Sequence, residues 1–522
     1  MPKIFEKRAL EKNLLAILSG LMLTASFPPD NIFWMPWVAL LPLFMALDEA
    51  RPKEALKLGL LTGMAHYLTL IYWIVLVLNH YGNLNLFLSI GPYLLLCFYL
   101  SLFIAFFSLA CTKIRYGLPF PWFHMACFWV ALEYARAHFL TGLPWCLLGY
   151  SQYEHLNLIR LADITGVYGI SFLIVLSNGI LYALLFRPQV KRKSVFWLEI
   201  ALGAILLPVF IFYGFQGVEG GSSEVKGASL TCAVIQPDID QSIKWDPLHQ
   251  GKTMDTLERL TRSTFSSRPR LIIWPETAVP FYFQNPSDLS KQISALSRES
   301  NADLLFGSPA YRRTENKFVY YNRAYLINPE GRTQYYDKVH LVPFGEYVPL
   351  RKLLFFAKRL VEGAGDFQAG NRISPLEMQG HLLGPLICFE AIFPKLARIQ
   401  TEEGAEVLVN LTNDAWFGST SAPYQHLAMA VFRAVENHRP MIRAANTGFS
   451  AFISPRGEIL SRSDLFRKET LVEKIRPLSH GLTFYTRFGD VFALCTCGVS
   501  LWVLCWFIFS NRKRYKEGID IL

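Results

Sequence analysis

Long apolar runs dominate the first 215 residues of this 522-residue chain and restrict what it can fold into. Most of them reach the roughly 20 residues that an α-helix needs to cross the hydrocarbon layer of a membrane. The composition agrees, because 52% of the residues are hydrophobic and only 18% are charged. We predict membrane helices at about 13–27, 33–48, 56–79, 84–112, 119–139, 167–186 and 194–215, and an eighth at about 490–510. No small-residue cleavage pattern follows the first run, so we interpret it as a retained helix and not as a signal peptide.

The basic residues predict the orientation of these helices. Lys and Arg lie in the segments 1–12, 49–57, 113–118, 187–194 and 511–522. The alternate loops 28–32 and 80–83 carry none, and the loop 140–166 carries only Arg160. Since basic loops stay in the cytoplasm, both termini are predicted to be cytoplasmic and residues 216–489 to face outward, into the periplasm of a bacterial inner membrane. Much of the net charge of +10 is thereby explained by topology, and we predict no nucleic-acid partner.

Residues 228–475 have a different pattern, in which short β-branched or apolar runs alternate with polar helical stretches. Such alternation is typical of an α/β domain. The predicted strands lie within 230–236, 270–276, 303–310, 319–329, 382–390, 406–414, 440–448 and 449–455, and the predicted helices at 287–300, 394–404 and 424–438. A Gly/Ser-rich linker, 216–227, precedes the domain, and 476–522 is a return segment with the last membrane helix and a basic tail.

Three side chains of complementary chemistry lie where predicted strands end: Glu276, Lys338 and Cys388. The carboxyl ends of strands line the ligand crevice of open α/β sheets, so these side chains can converge. A cysteine attacks an acyl carbon only as the thiolate, a carboxylate can take its proton, and a lysine can stabilise the oxyanion. The residues alone therefore propose an acyl-transfer site.

Each of these residues also has an ordinary structural interpretation. Glu276 can cap a helix, and Lys338 can be a solvated turn residue beside Asp337. Cys388 can be a small core residue or can pair with Cys232 in an oxidising compartment. The nine cysteines show no metal-ligand spacing, so we predict neither a metal site nor a cofactor.

The contexts of the three residues are more specific than the residues themselves. WPETAVP, YYDKVHLVPFGEYVP, LICFEAIFP and LVNLTNDAWFG occur in this order and resemble the nitrilase superfamily, with its Glu–Lys–Cys triad on an α-β-β-α sandwich. PFGEYVP, NDAWFG and the apolar GLPWCLLGYSQ, together with the predicted outward domain, are similar to the apolipoprotein N-acyltransferase family. The resemblance covers essentially the whole chain.

The resemblance implies a role for nine residues. Glu276 is the expected general base, Lys338 the oxyanion stabiliser and Cys388 the nucleophile. The remaining six are expected to support the site or bind substrate: Trp245, Glu346, Phe389, Glu390, Asn413 and Trp416. Both tryptophans are expected on mobile loops at the lipid entrance, although interface anchoring or packing explains them equally well. Phe389 departs from the tyrosine usual in the family, so the ring is kept and its hydroxyl is lost.

The resemblance also implies substrates. A phospholipid, specifically the sn-1 chain of phosphatidylethanolamine, is the expected acyl donor, and a diacylglyceryl apolipoprotein is the acceptor, with the enzyme acting as a monomer. A membrane-tethered amidase is the first alternative. A transporter or receptor with an inactive nitrilase-like domain is the second, for which Glu133, Arg136 and His138 are candidate path residues, although they are expected to face the membrane interface. KLLFFAKRL, 352–360, is expected to be a lid or an ordinary amphipathic helix.

Overall fold

The computed structural model describes residues 2–82, 84–187, 197–201, 203, 229–315, 317–348, 367–479 and 481–516. The chain divides into two compact units. The helical unit comprises Met1–Tyr72, Pro92–Gly217 and Asp490–Leu522, and the sheet unit comprises Trp73–Gly91 and Val218–Gly489. The sheet unit thus includes a short segment, Trp73–Gly91, that comes from within the long apolar region.

The described α-helices are distributed over both units. In chain order they are α1 (Pro2–Ala25), α2 (Leu41–Ala46), α3 (Pro52–Leu70), α4 (Trp73–Leu76), α5 (Leu86–Gly117), α6 (Pro121–His138), α7 (Leu156–Ile159), α8 (Ala162–Thr165), α9 (Val167–Phe186), α10 (Gln250–Arg262), α11 (Asp288–Ser300), α12 (Pro394–Glu402), α13 (Ala422–Asn437), α14 (Phe484–Phe488) and α15 (Val491–Lys516).

Three of the described helices are long and apolar enough to cross a membrane: Leu86–Ile114, Val167–Phe186 and Val491–Ser510. A fourth span is possible if Pro52–Leu70 and Trp73–Tyr81, which meet at a bend of 52°, cross together. The eight predicted spans therefore remain a prediction. Most of the predicted helix 194–215, the linker 216–227 and the predicted lid 352–360 lie outside the described residues.

Two predicted helices have the wrong bounds. Residues 33–48 do not form one helix, because the chain makes a single turn at Met35–Trp37 and starts again at Leu41–Ala46. Each of these pieces has a proline near its start, at Pro36 and Pro42, where the missing N–H prevents continuation of a preceding helix. The predicted helix 56–79 ends instead at Leu70, and the chain continues through α4 into a π-type turn, Val77–Tyr81.

The polar residues at the end of α6 hold a neighbouring loop within the helical unit. Glu133 accepts a hydrogen bond from the Leu148 amide (2.7 Å), and Arg136 donates to the Trp145 carbonyl (3.2 Å). Both side chains are buried, so the expectation that they face the interface is wrong for them, whereas His138 is exposed. These contacts are those of a structural loop anchor.

Two six-stranded sheets form the centre of the sheet unit. Their strands are β1 (Leu230–Gln236), β2 (Leu271–Ile273), β3 (Asp303–Arg313), β4 (Phe318–Ile327), β5 (Thr333–Asp337), β6 (Leu376–Met378), β7 (His381–Ile387), β8 (Val407–Thr412), β9 (Met441–Ala445), β10 (Ala451–Ile453), β11 (Ile459–Arg462) and β12 (Glu469–Ile475). One sheet has the order β12-β1-β2-β3-β4-β5 and the other β11-β10-β9-β8-β7-β6. In each sheet three neighbouring strands are parallel, β1–β3 and β7–β9, and antiparallel strands extend the edges.

Apolar side chains pack on both faces of the first sheet. One cluster joins the two sheets. It includes Val234 and Ile273 from the first sheet and Leu383, Ile387 and Val409 from the second. A second cluster lies between the first sheet and the helices α10 and α11. Helices α12 and α13 pack on the second sheet and its connections. The resulting layers are helix, sheet, sheet and helix, as the resemblance to nitrilases predicts.

Candidate functional site

The ends of three strands, β2 and β5 of the first sheet and β7 of the second, carry Glu276, Lys338 and Cys388. Glu276 follows β2 by three residues, Lys338 follows β5 directly, and Cys388 follows β7 directly. All three side chains are buried. The charges of Glu276 and Lys338 both act on the Cys388 thiol, so the three predicted residues share one environment.

Lys338 lies between two carboxylates. Its ammonium is 3.0 Å from Glu346 Oε1 and 3.3 Å from Glu276 Oε1. Burial alone lowers the pKa of Lys338, but the two carboxylates outweigh burial and hold the pKa above its usual value. Lys338 is therefore a fixed cation at neutral pH, available to a developing oxyanion.

Asn322 on β4 ties the same carboxylates together, and sequence reasoning missed it. Its side-chain NH2 donates to Glu276 Oε1 (2.7 Å) and to Glu346 Oε1 (2.9 Å), while its backbone carbonyl accepts from the backbone amide of Lys338 (2.9 Å). Each donor restricts the rotation of a carboxylate. The signal in the sequence was only an asparagine inside an apolar strand, which becomes informative once its neighbours are known.

Cys388 lies on a sharp turn of the backbone. Its φ of 50° is in the left-handed region, which non-glycine residues rarely adopt. The Cys388 carbonyl contacts His426 Nε2 (3.3 Å) and accepts from Asn410 Nδ2 (3.4 Å), and these contacts hold the turn. The thiol is free, as is that of Cys232, so the two are not joined in a disulfide.

The Cys388 thiol is protonated at rest. Burial raises its pKa to about 12, the charge of Glu276 adds to the rise, and Lys338 opposes it. A thiol of this kind needs a base at the moment of attack, because almost none is ionised at neutral pH. The adjacent Glu276 carboxylate can fill that role.

Glu390 joins the nucleophile turn to the Lys338 segment. One of its oxygens accepts from the Ile387 amide (2.7 Å), and the other accepts from the amides of Val339 (2.7 Å) and His340 (3.1 Å). The Tyr336 hydroxyl donates to the same carboxylate (3.0 Å). Burial raises the pKa of Glu390 to about 7, although these hydrogen bonds and Lys338 act in the opposite direction. Glu390 therefore ties the turn of Cys388 to the segment that follows Lys338.

Beneath Cys388 lies a buried cluster that sequence reasoning also missed. Arg443 pairs with Asp414 (2.6 Å), and Asp414 contacts His426 Nδ1 (3.0 Å). Burial and the charge of Arg443 lower the pKa of His426. The pKa of Asp414 is also lowered, because the charges of Arg443 and His426 outweigh burial, which alone would raise it. The cluster thus links the Asp414 turn to the carbonyl of the nucleophile.

The turn after Glu276 is tightly packed. Thr277 has a φ of 45°, and a Cβ on Gly307 of β3 would lie 2.3 Å from the Thr277 amide nitrogen. Only glycine fits this approach. Lys244, which the sequence reasoning did not single out, reaches the same turn: its ammonium donates to Thr277 Oγ1 (2.7 Å) and to the Glu276 carbonyl (3.3 Å).

The loops carrying the two predicted tryptophans are connected to each other. Trp245 is 37% exposed, and its loop meets the Trp416 turn through Gln241, whose side-chain carbonyl accepts from Asn413 (2.7 Å). Asn446 bridges the same loops, since it donates to the Ile239 carbonyl (2.8 Å) and to Asn413 Oδ1 (3.1 Å). Asn413 is thus a buried loop anchor.

Trp416 is half-buried and packs against Tyr81, a residue of the segment Trp73–Gly91. The two rings lie 4.9 Å apart at 72°, and the Tyr81 hydroxyl donates to the Ala415 carbonyl (2.8 Å). Nearby, Trp73 packs edge-on to Phe417 at 4.9 Å. Packing is therefore part of the role of Trp416, and its contact with substrate remains a prediction.

Phe389 takes part in an aromatic cluster beside the nucleophile. Its ring lies 5.2 Å from Phe393 at 76° and 5.9 Å from His340. These are packing contacts, which a phenyl ring makes as well as a phenol. Within the described part of the chain no group of three or more potential metal ligands is found.

Two family models match this chain. The apolipoprotein N-acyltransferase N-terminal domain matches residues 19–180, and the carbon-nitrogen hydrolase domain matches residues 231–480. Together they span most of the described helices and both sheets.

Curated relatives match along nearly the full length. The apolipoprotein N-acyltransferase of Geobacter metallireducens is 43% identical over 94% of each chain, and that of Nitrosomonas europaea is 32% identical over 96% of this chain and 98% of its own. Among solved structures, an amidase from Nesterenkonia sp. is 18% identical, with a TM-score of 0.38, covering 51% of this chain and 95% of the amidase.

Proposed function

The chain belongs to the apolipoprotein N-acyltransferase family, and from this premise we propose that Cys388 takes an acyl chain from a phospholipid and passes it to the α-amine of an apolipoprotein. The observation that carries the proposal is the buried Lys338, held between Glu276 and Glu346 beside a protonated thiol. A base, a fixed cation and a nucleophile are what a two-step acyl transfer requires.

In the first half-reaction, Glu276 takes the Cys388 thiol proton while the sulfur attacks the sn-1 ester carbonyl of phosphatidylethanolamine. The negative charge that forms on the carbonyl oxygen is stabilised by the Lys338 ammonium; removing one donor of this type raises the barrier by about 3–4 kcal/mol in comparable sites. The ester C–O bond then breaks, and Glu276 returns the proton to the departing alkoxide. Lysophospholipid leaves, and a thioester remains on Cys388.

In the second half-reaction, the neutral α-amine of the diacylglyceryl-modified N-terminal cysteine attacks the thioester carbonyl. Glu276 accepts the amine proton as the nitrogen–carbon bond forms, and Lys338 again faces the oxyanion. The C–S bond breaks, and Glu276 reprotonates the sulfur. The products are an N-acylated lipoprotein and the starting enzyme, so protons and charges balance without a cofactor.

Attachment of the enzyme to the membrane suits the proposed substrates. Both substrates hold their acyl chains in the bilayer, and exposing a chain to water costs roughly 0.8 kcal/mol per methylene. An enzyme tethered to the membrane avoids extracting either lipid. We propose that the sheet unit faces the periplasm and that both termini lie in the cytoplasm, because the basic residues follow that topology. The acting unit in this proposal is a monomer.

A labelled phospholipid tests the first half-reaction. Purified protein incubated with phosphatidylethanolamine labelled in the sn-1 chain should acquire label on the Cys388 peptide, and hydroxylamine should remove it. The Cys388→Ala variant should acquire none, while Cys232→Ala, at a buried cysteine elsewhere in the sheet unit, should label normally. Normal transfer activity in Cys388→Ala would refute the mechanism.

A further inference from the structure

Lys244 is a buried cation that the mechanism above does not use. It is 2% exposed, although the next residue, Trp245, is 37% exposed. The loop between β1 and α10 therefore turns one of these side chains inward and the other outward. An inward lysine is unusual, because burial of an ammonium group is costly without strong partners.

The partners of Lys244 all lie at the catalytic base. Its ammonium donates to Thr277 Oγ1 at 2.7 Å and to the carbonyl of Glu276 itself at 3.3 Å. Burial lowers the pKa of Lys244 to about 8, and the charges of Glu276 and Cys388 oppose that lowering. The ammonium is thus close enough for both reactive groups to influence it.

The turn that Lys244 holds is strained. Thr277 has a positive φ of 45°, and its amide packs on Gly307 so closely that a single added carbon would lie 2.3 Å away. A strained turn keeps its shape only when the surrounding groups fix it. Gly307 supports the turn from β3, and Lys244 supports it from the Trp245 loop.

We propose that Lys244 is a positioning residue for Glu276. When the Trp245 loop is in place, Lys244 fixes the turn that follows Glu276 and so holds the carboxylate in position beside Lys338 and Cys388. This inference rests on the proposed function, since it assumes that Glu276 is the base. The loop is seated by further contacts of Ile239 with Asn446 and of Gln241 with Asn413. Displacement of the loop would withdraw the ammonium from the turn, and the base would lose this support.

The test is a single-turnover measurement of Cys388 acylation at increasing concentrations of phosphatidylethanolamine in detergent micelles. Lys244→Met removes the ammonium and keeps the aliphatic stem. Thr277→Val removes one acceptor in a side chain of the same shape, and Thr277→Ser restores the hydroxyl. Lys252→Met, at an exposed lysine in α10, is the matched control.

A positioning role predicts a lower rate at saturation. We expect the saturating acylation rate to fall about 100-fold in Lys244→Met and about 10-fold in Thr277→Val, with half-saturation changed by less than about threefold. Thr277→Ser should regain at least half of the wild-type rate, and Lys244→Met/Thr277→Val should be no slower than Lys244→Met alone. If Lys244→Met fails to fold, the Thr277→Val and Thr277→Ser pair decides.

Two results would overturn the inference while leaving the proposed function intact. One is a wild-type rate at saturation in the variants, with only half-saturation raised, which is the behaviour of a plain loop anchor. The other is equal rates for Thr277→Val and Thr277→Ser. Failure of the wild-type protein itself to form the thioester would instead refute the proposed function.

Discussion

The ammonium of Lys338 lies nearer to Glu346 than to Glu276, at 3.0 Å against 3.3 Å. The Lys338 cation is thus shared between two buried carboxylates and is not paired with Glu276 alone. Asn322 donates to both carboxylates, so the ammonium and its two acceptors form one buried hydrogen-bonded group.

Glu346→Gln should therefore slow acylation of Cys388 by about 10- to 100-fold. The substitution removes one of the two charged acceptors of Lys338, so the ammonium would no longer be fixed between two carboxylates where it can face the oxyanion. Single-turnover acylation with phospholipid measures the effect, and Glu377→Gln, at an exposed carboxylate of the sheet unit, is the control. An unchanged rate in Glu346→Gln would show that the second carboxylate does not matter.

Glu276→Gln should have opposite effects on the alkylation and on the acylation of Cys388. Because the charge of Glu276 raises the pKa of Cys388, its removal should speed alkylation of this cysteine by iodoacetamide at a fixed pH. Acylation by phospholipid should fall by at least about 100-fold, because the base is lost. Peptide mapping after timed alkylation follows Cys388 separately from the other cysteines.

The pH dependence of that alkylation is a second arm of the same experiment. With a pKa of about 12, the wild-type rate should rise about tenfold for each pH unit from 7 to 10, without a plateau. A plateau below pH 9 would place the pKa of the thiol well below 12 and contradict the effect of burial and of Glu276 on it.

The buried Glu390 predicts a pH-dependent stability. Its folded pKa, about 7, lies above the ordinary 4.5, so between these pH values the folded state holds a proton that the unfolded state has lost. Its contribution to stability is full below about pH 4.5 and is lost as the pH rises through about 7. His340 acts in the opposite direction, since burial and Lys338 lower its pKa to about 4, and only a comparison of variants isolates Glu390.

Thermal midpoints in detergent at pH 5 and pH 8 give that comparison. When the pH is raised from 5 to 8, the thermal midpoint of the wild type should fall further, or rise less, than that of Glu390→Gln, which has no titrating carboxyl group at this position. Glu390→Gln should also melt earlier at pH 5, because its NH2 group replaces one of the two accepting oxygens and would face either the Ile387 amide or the Val339 amide, donor against donor. Equal pH responses of the two proteins would contradict the raised pKa.

Patterns along single elements predicted much of this fold. The run 230–236 is β1, and the run 167–186 is α9, because each is uniform in hydrophobic pattern and bounded by turn residues. Glu276, Lys338 and Cys388 followed from their position at strand ends. The prediction of one helix over 33–48 was wrong, because it followed the apolar composition and not the two prolines, Pro36 and Pro42, that divide the region.

Residues defined by tertiary contact escaped prediction. Asn322 lies on β4 and Lys244 in a loop nearly 80 residues earlier, and each becomes a site residue only because the fold places it against Glu276. The same is true of His426, which approaches the carbonyl of Cys388 from α13. No periodicity in the sequence marks a buried polar side chain whose partner is distant in the chain.

Phe389 should tolerate the tyrosine usual in the family. Its ring packs on Phe393 and His340, and Phe389→Tyr keeps that packing, so acylation should stay within about threefold of wild type. Phe389→Ala removes the ring and should lower both the rate and the thermal midpoint. Phe393→Leu serves as a control for general loosening of the cluster. A gain of more than tenfold in Phe389→Tyr would show that the missing hydroxyl has a catalytic function.

Discharge of the acyl-enzyme distinguishes acyl transfer to an amine from hydrolysis. Thioester-labelled protein, freed of phospholipid, is divided between buffer alone and buffer with a synthetic lipopeptide bearing an N-terminal diacylglyceryl-cysteine, and intact mass is followed with time. We expect the adduct to persist in buffer and the lipopeptide to discharge it as an N-acyl product, whereas an N-acetylated lipopeptide should not. Rapid loss of the adduct to free fatty acid in both samples would contradict acyl transfer and identify a hydrolase.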